Sequence, residues 1–431
     1  MSSFRPTGRG AGPIVTTIVA ILAVGGLLAA GIALRSLGVT RVSIIRVAMA
    51  SAAQDGSLDG IGTAFVTNDA ATANPALVPT QLIVPPGLPE LDQIVNLPPG
   101  FTISLLAAGL EGPRFMTLGP AGDLFVAATR GSVYRFPVNP DGSYTPTATS
   151  PAALINRLNA PSSLAFNGDY LYVGETDKIS RYRYDPRGEV SGREVVVPNL
   201  PTGGHGTRTV AFGPDGMLYV SVGSSCNICE EGDQRRAAVL RYSAEGADGE
   251  RFAWGLRNAV GLAFHPITSR LWATVNERDN QGNEIPPDLV TIVAPGQDFG
   301  WPNCQPPDAR PQSRDASCEG ITPPTVGIQP HSAPLGLAFA VGTAFPEEYR
   351  GDLFVVQHGS WNRQPPAAPK LLRIRFQGDR PVGALDFATG WQGADARRWG
   401  RPAGVIVAPD GSLIISDDAS GYLYRIAYTG R

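Results

Sequence analysis

Charged residues are scarce in this chain of 431 residues. Asp, Glu, Lys and Arg together make up 17%, and 35 Lys plus Arg against 38 Asp plus Glu leave a formal net charge of −3. This composition offers nothing that could neutralise a row of phosphates, so the sequence predicts no nucleic-acid partner. A wholly disordered chain is excluded as well, because 43% hydrophobic residues are enough to fill a core.

Three common catalytic motifs are also missing from the sequence. It has no P-loop, no GxGxxG at a strand–helix junction and no GxSxG. What it does have is 51 glycines and 39 prolines, and this many would break long helices. Turn residues combined with ample Val, Leu, Phe and Tyr predict many short strands.

The N-terminal region contains an uncharged apolar run at residues 14–34. At about 1.5 Å per residue, a helix of this length matches a hydrocarbon core of about 30 Å. We therefore predict that residues 1–46 are a membrane anchor with one transmembrane helix. A cleaved signal peptide is the alternative, although the nearest small-x-small site, Ala48-Met49-Ala50, lies rather far downstream.

Residues 47–100 contain acids but no Lys or Arg, and prolines gather towards their end. Such a composition predicts an acidic, Pro-rich linker that becomes semi-rigid. It would hold a soluble domain away from the bilayer. The predicted localisation is therefore a membrane-anchored protein whose folded domain lies outside the cytoplasm, on the periplasmic or extracellular face.

Only four cysteines occur: Cys226, Cys229, Cys304 and Cys318. An even count in an exported chain allows disulfides, and we predict two local ones. A zinc site is an alternative, but it would need a second pair of ligands at a suitable spacing. Redox chemistry is another alternative, but it needs a CxxC that opens a helix, whereas Gly, Ser and Glu flank this one as a loop.

One phrase recurs six times after about residue 101. An apolar strand, a turn rich in Pro, Gly and Asp, and a second strand follow one another, as in TVAFGPDGMLYV at 209–220 and GVIVAPDGSLIIS at 404–416. Asp-Gly favours a tight hairpin turn because Gly takes the positive φ. A spacing of roughly 45 to 75 residues is typical of four-stranded propeller blades.

We therefore predict an all-β fold, a six-bladed β-propeller at residues 101–431 preceded by the transmembrane helix and the linker. The segment Phe101–Leu110 would supply the strand that closes the ring. A β-sandwich is the alternative, but sandwiches do not repeat at this period.

Polar residues collect in loops beside the repeated strands. His205 lies among glycines, which let backbone and ligand approach closely. Carboxylate and amide oxygens around Asp279 are of the type that hard cations prefer. Together these loops suit an anionic, planar ligand with a base beside it. The candidate residues from this pattern are His205, Arg257, Asn258, Asp279, Asn280, His358 and Arg401.

Six ordered motifs resemble the glucose/sorbosone dehydrogenase family. They are GGHGTRTVAFGPDGMLYVSVG, GLRNAVGLAFHP, NERDNQGNEIPPDLV, DFGWPNC, VVQHGSWNR and RPAGVIVAPDGSL, and the likeness covers roughly residues 100–428. The resemblance implies a sugar dehydrogenase that uses pyrroloquinoline quinone (PQQ) and Ca²⁺ on a six-bladed propeller. Within that family, this sequence is more similar to the sorbosone-type branch than to the classical soluble glucose enzyme.

The resemblance also implies roles for individual residues. His205 would be the catalytic base, taking the proton of the anomeric hydroxyl as hydride passes to the quinone. Arg257, beside Asn258, would bind the quinone oxygens or a carboxylate and stabilise the negative charge that builds on reduction. Arg401 would pair with a cofactor carboxylate. The backbone at Asp279 and Asn280 would map onto the calcium site.

The sequence departs from the family at three of these places. The Glu-Gly-Pro calcium segment of the family reads Glu277-Arg278-Asp279-Asn280 here. Gly204 stands where well-studied members have an acid before the catalytic His. A family Lys in the fifth blade falls on Gly359, so the neighbouring His358 and the downstream Lys370 are taken as candidates for that cofactor contact.

The predicted function is thus PQQ-dependent oxidation of a sugar or a related alcohol or aldehyde, with a quinone or cytochrome as electron acceptor. Two alternatives stay open at this point. One is a Ca²⁺-dependent lactonase-type propeller hydrolase, and the other is a cofactor-free propeller that binds carbohydrate or protein.

Overall fold

Each repeated phrase forms an antiparallel hairpin in the computed structural model, which describes residues 76–185, 187–306, 310–312 and 317–430. The predicted turn chemistry is confirmed where Asp-Gly joins the two strands. Gly216 has φ +75° and Gly411 has φ +80°, values that side-chain-bearing residues rarely adopt. The hairpins are the inner halves of small sheets arranged as blades.

The strands follow one another blade by blade. Before the first blade lie β1 (Val78–Gln81), β2 (Ile94–Leu97) and β3 (Phe101–Ala107). The first blade has β4 (Pro113–Leu118), β5 (Leu124–Ala128) and β6 (Ser132–Phe136). The second has β7 (Ser163–Asn167), β8 (Tyr170–Glu175), β9 (Lys178–Tyr184) and β10 (Val190–Val197). The third has β11 (Val210–Phe212), β12 (Leu218–Val222), β13 (Ala238–Tyr242) and β14 (Glu250–Trp254).

The remaining blades follow the same plan. The fourth has β15 (Ala259–Phe264), β16 (Leu271–Val275) and β17 (Asp288–Val293), then a ribbon of β18 (Cys304–Gln305) and β19 (Arg310–Pro311), and finally β20 (Val326–Ile328). The fifth has β21 (Pro334–Phe339), a 3-10 helix (Glu347–Tyr349), β22 (Leu353–Gln357), β23 (Lys370–Gln377) and β24 (Arg380–Thr389). The sixth has β25 (Pro402–Val407), β26 (Leu413–Asp417) and β27 (Tyr422–Tyr428).

The ring closes through the strand that the sequence assigns to closure. β3 pairs antiparallel with β27, with Leu105 opposite Tyr424 and Ile103 opposite Ile426, so the sixth blade takes its outer strand from the N-terminal side. The innermost strands β4, β7, β11, β15, β21 and β25 contact one another in turn, and β25 contacts β4. The predicted all-β, six-bladed propeller is therefore confirmed.

Two strands lie within the range 47–100, which was predicted to be a linker. β1 pairs with β2, and β2 joins β24 through Asn96 and Thr389, which extends the fifth blade. Val95 and Leu97 are buried there. The end of that range is therefore part of the folded domain, because its apolar side chains pack on the propeller.

The predicted transmembrane helix within residues 1–46 lies outside the described residues. In the part of the chain that the structure describes, no helix is long and apolar enough to cross a membrane. The membrane anchor stays a prediction.

The core lies between the blades. The middle strands β5, β12, β16, β22 and β26 are buried along their whole length, because each blade packs against neighbours on both faces. In a hairpin, the first strand begins at the end where the second strand finishes. Loops that precede the innermost strands and loops that follow the second strands therefore meet at the same mouth of the propeller.

Candidate active site

A cavity of about 210 Å³ opens at this mouth. Five of the predicted site residues line it: His205, Arg257, Asn258, Asp279 and Arg401. They come from the loops before β11, β15 and β25 and from the loop after β16. The repeat logic explains why residues far apart in sequence meet here.

His205 is held in one tautomer by the loop that follows β12. Its Nδ1 lies 2.9 Å from the carbonyl oxygen of Ser224 and 3.1 Å from Ser224 Oγ. A carbonyl only accepts, so Nδ1 carries the proton and Nε2 keeps its lone pair. Burial, and then the positive charge of Arg257, lower the pKa of His205 to about 4. His205 is therefore neutral at neutral pH and able to accept a proton.

Arg257 is buried and spends all five of its N–H donors on the protein. Nε donates to the carbonyl oxygen of Asn227 at 3.2 Å, and Nη1 donates to those of Asn276 and Glu277 at 3.1 and 2.6 Å. Nη2 donates to Asn227 Oδ1 at 3.0 Å and to Asp279 Oδ2 at 2.7 Å. A guanidinium has five such donors, so the predicted contact with a cofactor would have to replace one of these bonds.

Arg401 differs from Arg257 because most of its N–H donors have no partner among the described residues. In the described residues its guanidinium makes two hydrogen bonds, both long, 3.3 Å from Nε to the carbonyl oxygen of His358 and 3.5 Å from Nη2 to that of Gly359. Within the described ranges it forms no ion pair with a carboxylate. Burial lowers the pKa of Arg401, yet an arginine stays charged. Arg401 is therefore the cation at the cavity that can take an anionic ligand.

Two buried amide oxygens at the cavity also lack a partner. Asn258 Oδ1 and Asn362 Oδ1 are inaccessible to solvent and accept no hydrogen bond from the residues that the structure describes. Leaving such an acceptor unpaired costs about 1–3 kcal/mol. The cavity thus fits a ligand that brings both an anionic group for Arg401 and donors for these oxygens. PQQ, which carries carboxylates and an N–H group, meets this description.

Of the two residues predicted to hold Ca²⁺, only Asp279 lines the cavity. Asp279 Oδ2 accepts from Arg257, its Oδ1 accepts from Asn362 Nδ2 at 2.9 Å, and its carbonyl oxygen accepts from Asn227 Nδ2 at 2.9 Å. Asn280 is exposed and does not line the cavity. Calcium takes six to eight clustered oxygens, and each oxygen of Asp279 accepts one hydrogen bond from the protein, so a calcium site at these residues stays a prediction. No step below uses Ca²⁺.

Neither His358 nor Lys370 lines the cavity. His358 is partly buried next to Arg401, with Nδ1 2.8 Å from the carbonyl oxygen of Pro402, and the loss of water around it lowers its pKa to about 4. Lys370 begins the third strand of its blade, where its Nζ pairs with Asp386 at 2.7 Å. The structure therefore does not place these two candidates at the cavity.

The departures from the family at Gly204 and Gly359 have a steric reason. Gly204 has φ +63°, and a Cβ there would lie 2.5 Å from the carbonyl oxygen of Ser225. Gly359 has φ +87°, and a Cβ there would lie 2.9 Å from the carbonyl oxygen of Ala367. Such approaches leave no room for a side chain, so neither an acid nor a lysine fits these backbone positions.

Some residues that line the cavity were not among the predicted site residues, Asp288 and His331 among them. Asp288 accepts from the backbone N–H groups of Glu277, Ser332 and Ala333 at 2.8, 2.7 and 2.9 Å, and burial raises its pKa to about 7. It braces two loops of the mouth. His331 precedes β21 much as His205 precedes β11, so its position in the repeat was the available signal.

The predicted pair of local disulfides is confirmed. Cys226 is bonded to Cys229, and Cys304 is bonded to Cys318. In the described residues, one group of three His, Cys, Asp or Glu side chains is close enough together to hold a metal. It consists of Cys226, Cys229 and Glu231. The two sulfurs are bonded to each other and are not thiolate ligands.

Comparison with known proteins identifies the family of this chain. The sequence matches the TrAA12-like family over residues 95–306 and 292–429, more than half of the chain. A pyrroloquinoline quinone-dependent pyranose dehydrogenase of Coprinopsis cinerea is 26% identical over 411 residues, covering 79% of this chain and 56% of that enzyme. The chain thus spans little more than half of that enzyme's length.

Solved structures share the fold. The holo form of the pyranose dehydrogenase PQQ domain from Coprinopsis cinerea has a TM-score of 0.69 at 22% identity and covers 80% of this chain and 100% of that chain. The calcium structure of Trichoderma reesei carbohydrate-active enzymes family AA12 has a TM-score of 0.70 at 20% identity, with the same coverage. The resemblance that the ordered motifs indicate is confirmed at the level of the family: this chain belongs to the TrAA12-like family, and it is similar to PQQ-dependent sugar dehydrogenases.

Proposed function

We propose that this protein binds PQQ at the propeller mouth and oxidises a sugar, or a related alcohol or aldehyde. The observation that carries the proposal is that one cavity is lined both by a neutral His205 and by Arg401, whose N–H donors are largely free for a ligand. The relative named as a pyranose dehydrogenase supports a sugar as the donor.

The residues of this chain divide the work between binding and proton transfer. Arg401 would hold a carboxylate of the cofactor, and Asn258 and Asn362 would accept its donors or those of the sugar. His205 Nε2 would take the proton of the hydroxyl that is oxidised. When bound, PQQ supplies the two-electron acceptor for the hydride on the substrate carbon. Arg257 contributes a fixed positive charge that disfavours a protonated His205.

The acceptor and the location of the protein belong to the same proposal. We propose that electrons leave to a quinone or a cytochrome, and that the chain is membrane-anchored with the propeller on the periplasmic or extracellular face. Two disulfides support an oxidising compartment. The hydrolase alternative is less well supported, because protein donors already occupy the carboxylates of Asp279 and Asp288 at the cavity.

A titration of the whole chain with PQQ tests the proposal directly. PQQ is titrated into the full-length protein while the absorbance is recorded, and dye reduction is then followed across a panel of pyranoses. We expect saturable binding and sugar-dependent dye reduction. A 1,5-anhydro sugar is the matched control, because it lacks the anomeric hydroxyl and should not be oxidised. A folded protein that binds no PQQ at micromolar concentration would overturn the proposal.

Trp361 gives a prediction about the sugar. Its side chain is 73% exposed at the cavity mouth. The loop around it is fixed, because Asn362 bonds to Asp279 and Arg363 bonds to Asn283 and to Glu284. An exposed aromatic ring on a rigid loop is suited to stacking on the C–H face of a sugar.

Replacing Trp361 by alanine is expected to raise KM roughly three- to tenfold, in line with about 0.5–1.5 kcal/mol for an aromatic contact. The kcat value should change little, since the ring does not touch the reacting proton. Steady-state kinetics on the best sugar measure both values. Ile267→Ala is the control, because Ile267 is also exposed but lies in the β15–β16 turn at the other end of the blade. An unchanged KM in the Trp361 variant would contradict a stacking role.

A further inference from the structure

Asn227 lies inside the short ring that the Cys226–Cys229 disulfide closes. Its side chain donates from Nδ2 to the carbonyl oxygen of Asp279 at 2.9 Å. Its Oδ1 accepts from the backbone N–H of Asp279 at 2.8 Å and from Arg257 Nη2 at 3.0 Å. One side chain therefore ties the loop before β15 to the loop after β16.

The backbone of Asn227 adds two further bonds. Its carbonyl oxygen accepts from Arg257 Nε at 3.2 Å and from the Trp301 indole N–H at 3.0 Å. Arg257 thus places two of its five donors on Asn227. Because Arg257 is buried, losing these acceptors would leave a charged group short of partners, which is costly.

The same ring also reaches His205. Ser224 Oγ donates to the carbonyl oxygen of Cys226 at 2.6 Å. Its one proton is used there, so the hydroxyl can only accept from His205 Nδ1 at 3.1 Å. The backbone of the disulfide ring therefore helps to fix the tautomer of His205, as well as the position of Arg257.

The two residues inside the disulfide ring differ: Asn227 bonds to the site, whereas Ile228 is partly exposed to solvent. Ile228 is 39% exposed, and its side chain has no polar atom to bond with. The disulfide limits the backbone freedom of the ring, so Asn227 loses less entropy when it binds Arg257 and Asp279.

We propose that Asn227, held in the Cys226–Cys229 ring, is a positioning residue that sets where Arg257 and Asp279 lie relative to His205. It is not a catalytic residue, because it acts through its neighbours. The effect expected on cofactor binding and turnover rests on the proposed function. The effect expected on the placement of the two loops does not depend on that function, and a separate measurement tests it.

The experiment compares full-length variants by hydrogen–deuterium exchange and by PQQ titration. Asn227→Ala removes three side-chain bonds, and the Cys226→Ser/Cys229→Ser double variant opens the ring. Asn227→Asp is the conservative variant, because it keeps an acceptor for Arg257 and for the Asp279 N–H but loses the donor. Ile228→Ala is the matched control inside the same ring.

The amide of Asp279 reports on the placement, since its N–H is donated to Asn227. In Asn227→Ala and in the double variant, exchange across residues 276–285 is expected to rise about tenfold or more. The affinity for PQQ and kcat/KM should fall roughly ten- to a hundredfold, as for other residues that orient a site. Asn227→Asp should recover part of both losses, and Ile228→Ala should match the unaltered protein.

Two results would overturn the inference. One is unchanged exchange at residues 276–285 in Asn227→Ala, which would show that the loops hold their places unaided. The other is faster exchange with unchanged PQQ affinity and turnover, which would show that the placement does not matter to the site. If the unaltered protein binds no PQQ, the proposed function fails, and the exchange result alone decides whether Asn227 positions the loops.

Discussion

Replacing His205 by alanine is expected to lower kcat for sugar oxidation by roughly 10²- to 10⁴-fold while PQQ still binds. The reason is that His205 is the neutral base at the cavity, with its Nδ1 proton held by Ser224 and its Nε2 free to accept. Dye reduction at saturating sugar measures kcat, and absorbance titration measures PQQ binding.

Imidazole provides the control for this variant. Added imidazole fits the space that the missing ring leaves and should restore part of the lost rate, whereas it should not affect the unaltered protein. A variant that keeps its full rate with PQQ bound would contradict the role of His205 as base.

The pH dependence of the unaltered protein follows from the same residue. A base works in its neutral form, and the pKa of His205 is lowered from 6.5 to about 4. The value of kcat/KM should therefore stay level as the pH falls through 6.5 and should drop only near pH 4. A decline centred at the ordinary histidine value would show that burial and Arg257 do not act on His205 as described.

Changing each of the two cavity arginines to glutamine is expected to affect different properties, the affinity for PQQ in one case and the stability of the fold in the other. Arg401→Gln should weaken PQQ binding roughly tenfold to a hundredfold, about the value of one charge-assisted hydrogen bond, with little loss of stability. Within the described residues the guanidinium of Arg401 makes only two long bonds, both to carbonyl oxygens, so the fold depends on that side chain little.

Arg257→Gln should instead lower the free energy of unfolding by about 3 kcal/mol. Its guanidinium satisfies five acceptors and pairs with Asp279 at 2.7 Å, so its removal leaves buried oxygens without donors. Denaturant unfolding measures the stability, and PQQ titration measures the affinity, of both variants. If Arg401→Gln destabilised the protein and Arg257→Gln did not, the assignment of the two roles would be reversed.

The fold could be predicted because its cause is local and repeated. The alternation within each strand and the Asp-Gly turns each act over a few residues, and the sixfold recurrence shows how many sheets form. Even the closing strand at Phe101 could be found, since the last repeat lacked an outer strand. What local pattern did not show was that β1 and β2 join the fifth blade, because their partner β24 is distant in sequence.

The candidate site was predicted only in part. The sequence identified His205, Arg257, Asn258, Asp279 and Arg401 as mouth residues, because each lies next to a repeated strand. Their roles were not visible from spacing, since a hydrogen-bond partner is fixed by three-dimensional distance and not by position in the repeat. Asn227 was seen only as the interior of a CxxC, although it bonds to Asp279 from a different blade.

The sequence by itself determined the architecture of this protein, the end of the propeller that carries the polar loops, and the family that those loops resemble. Only the tertiary structure decided that Arg257 is saturated and Arg401 is not, that the oxygens of Asp279 are already occupied, and that Lys370 lies away from the cavity. The physical reason is that strand formation depends on neighbours along the chain. The availability of a donor or acceptor depends instead on every group that packing brings within about 3 Å of it.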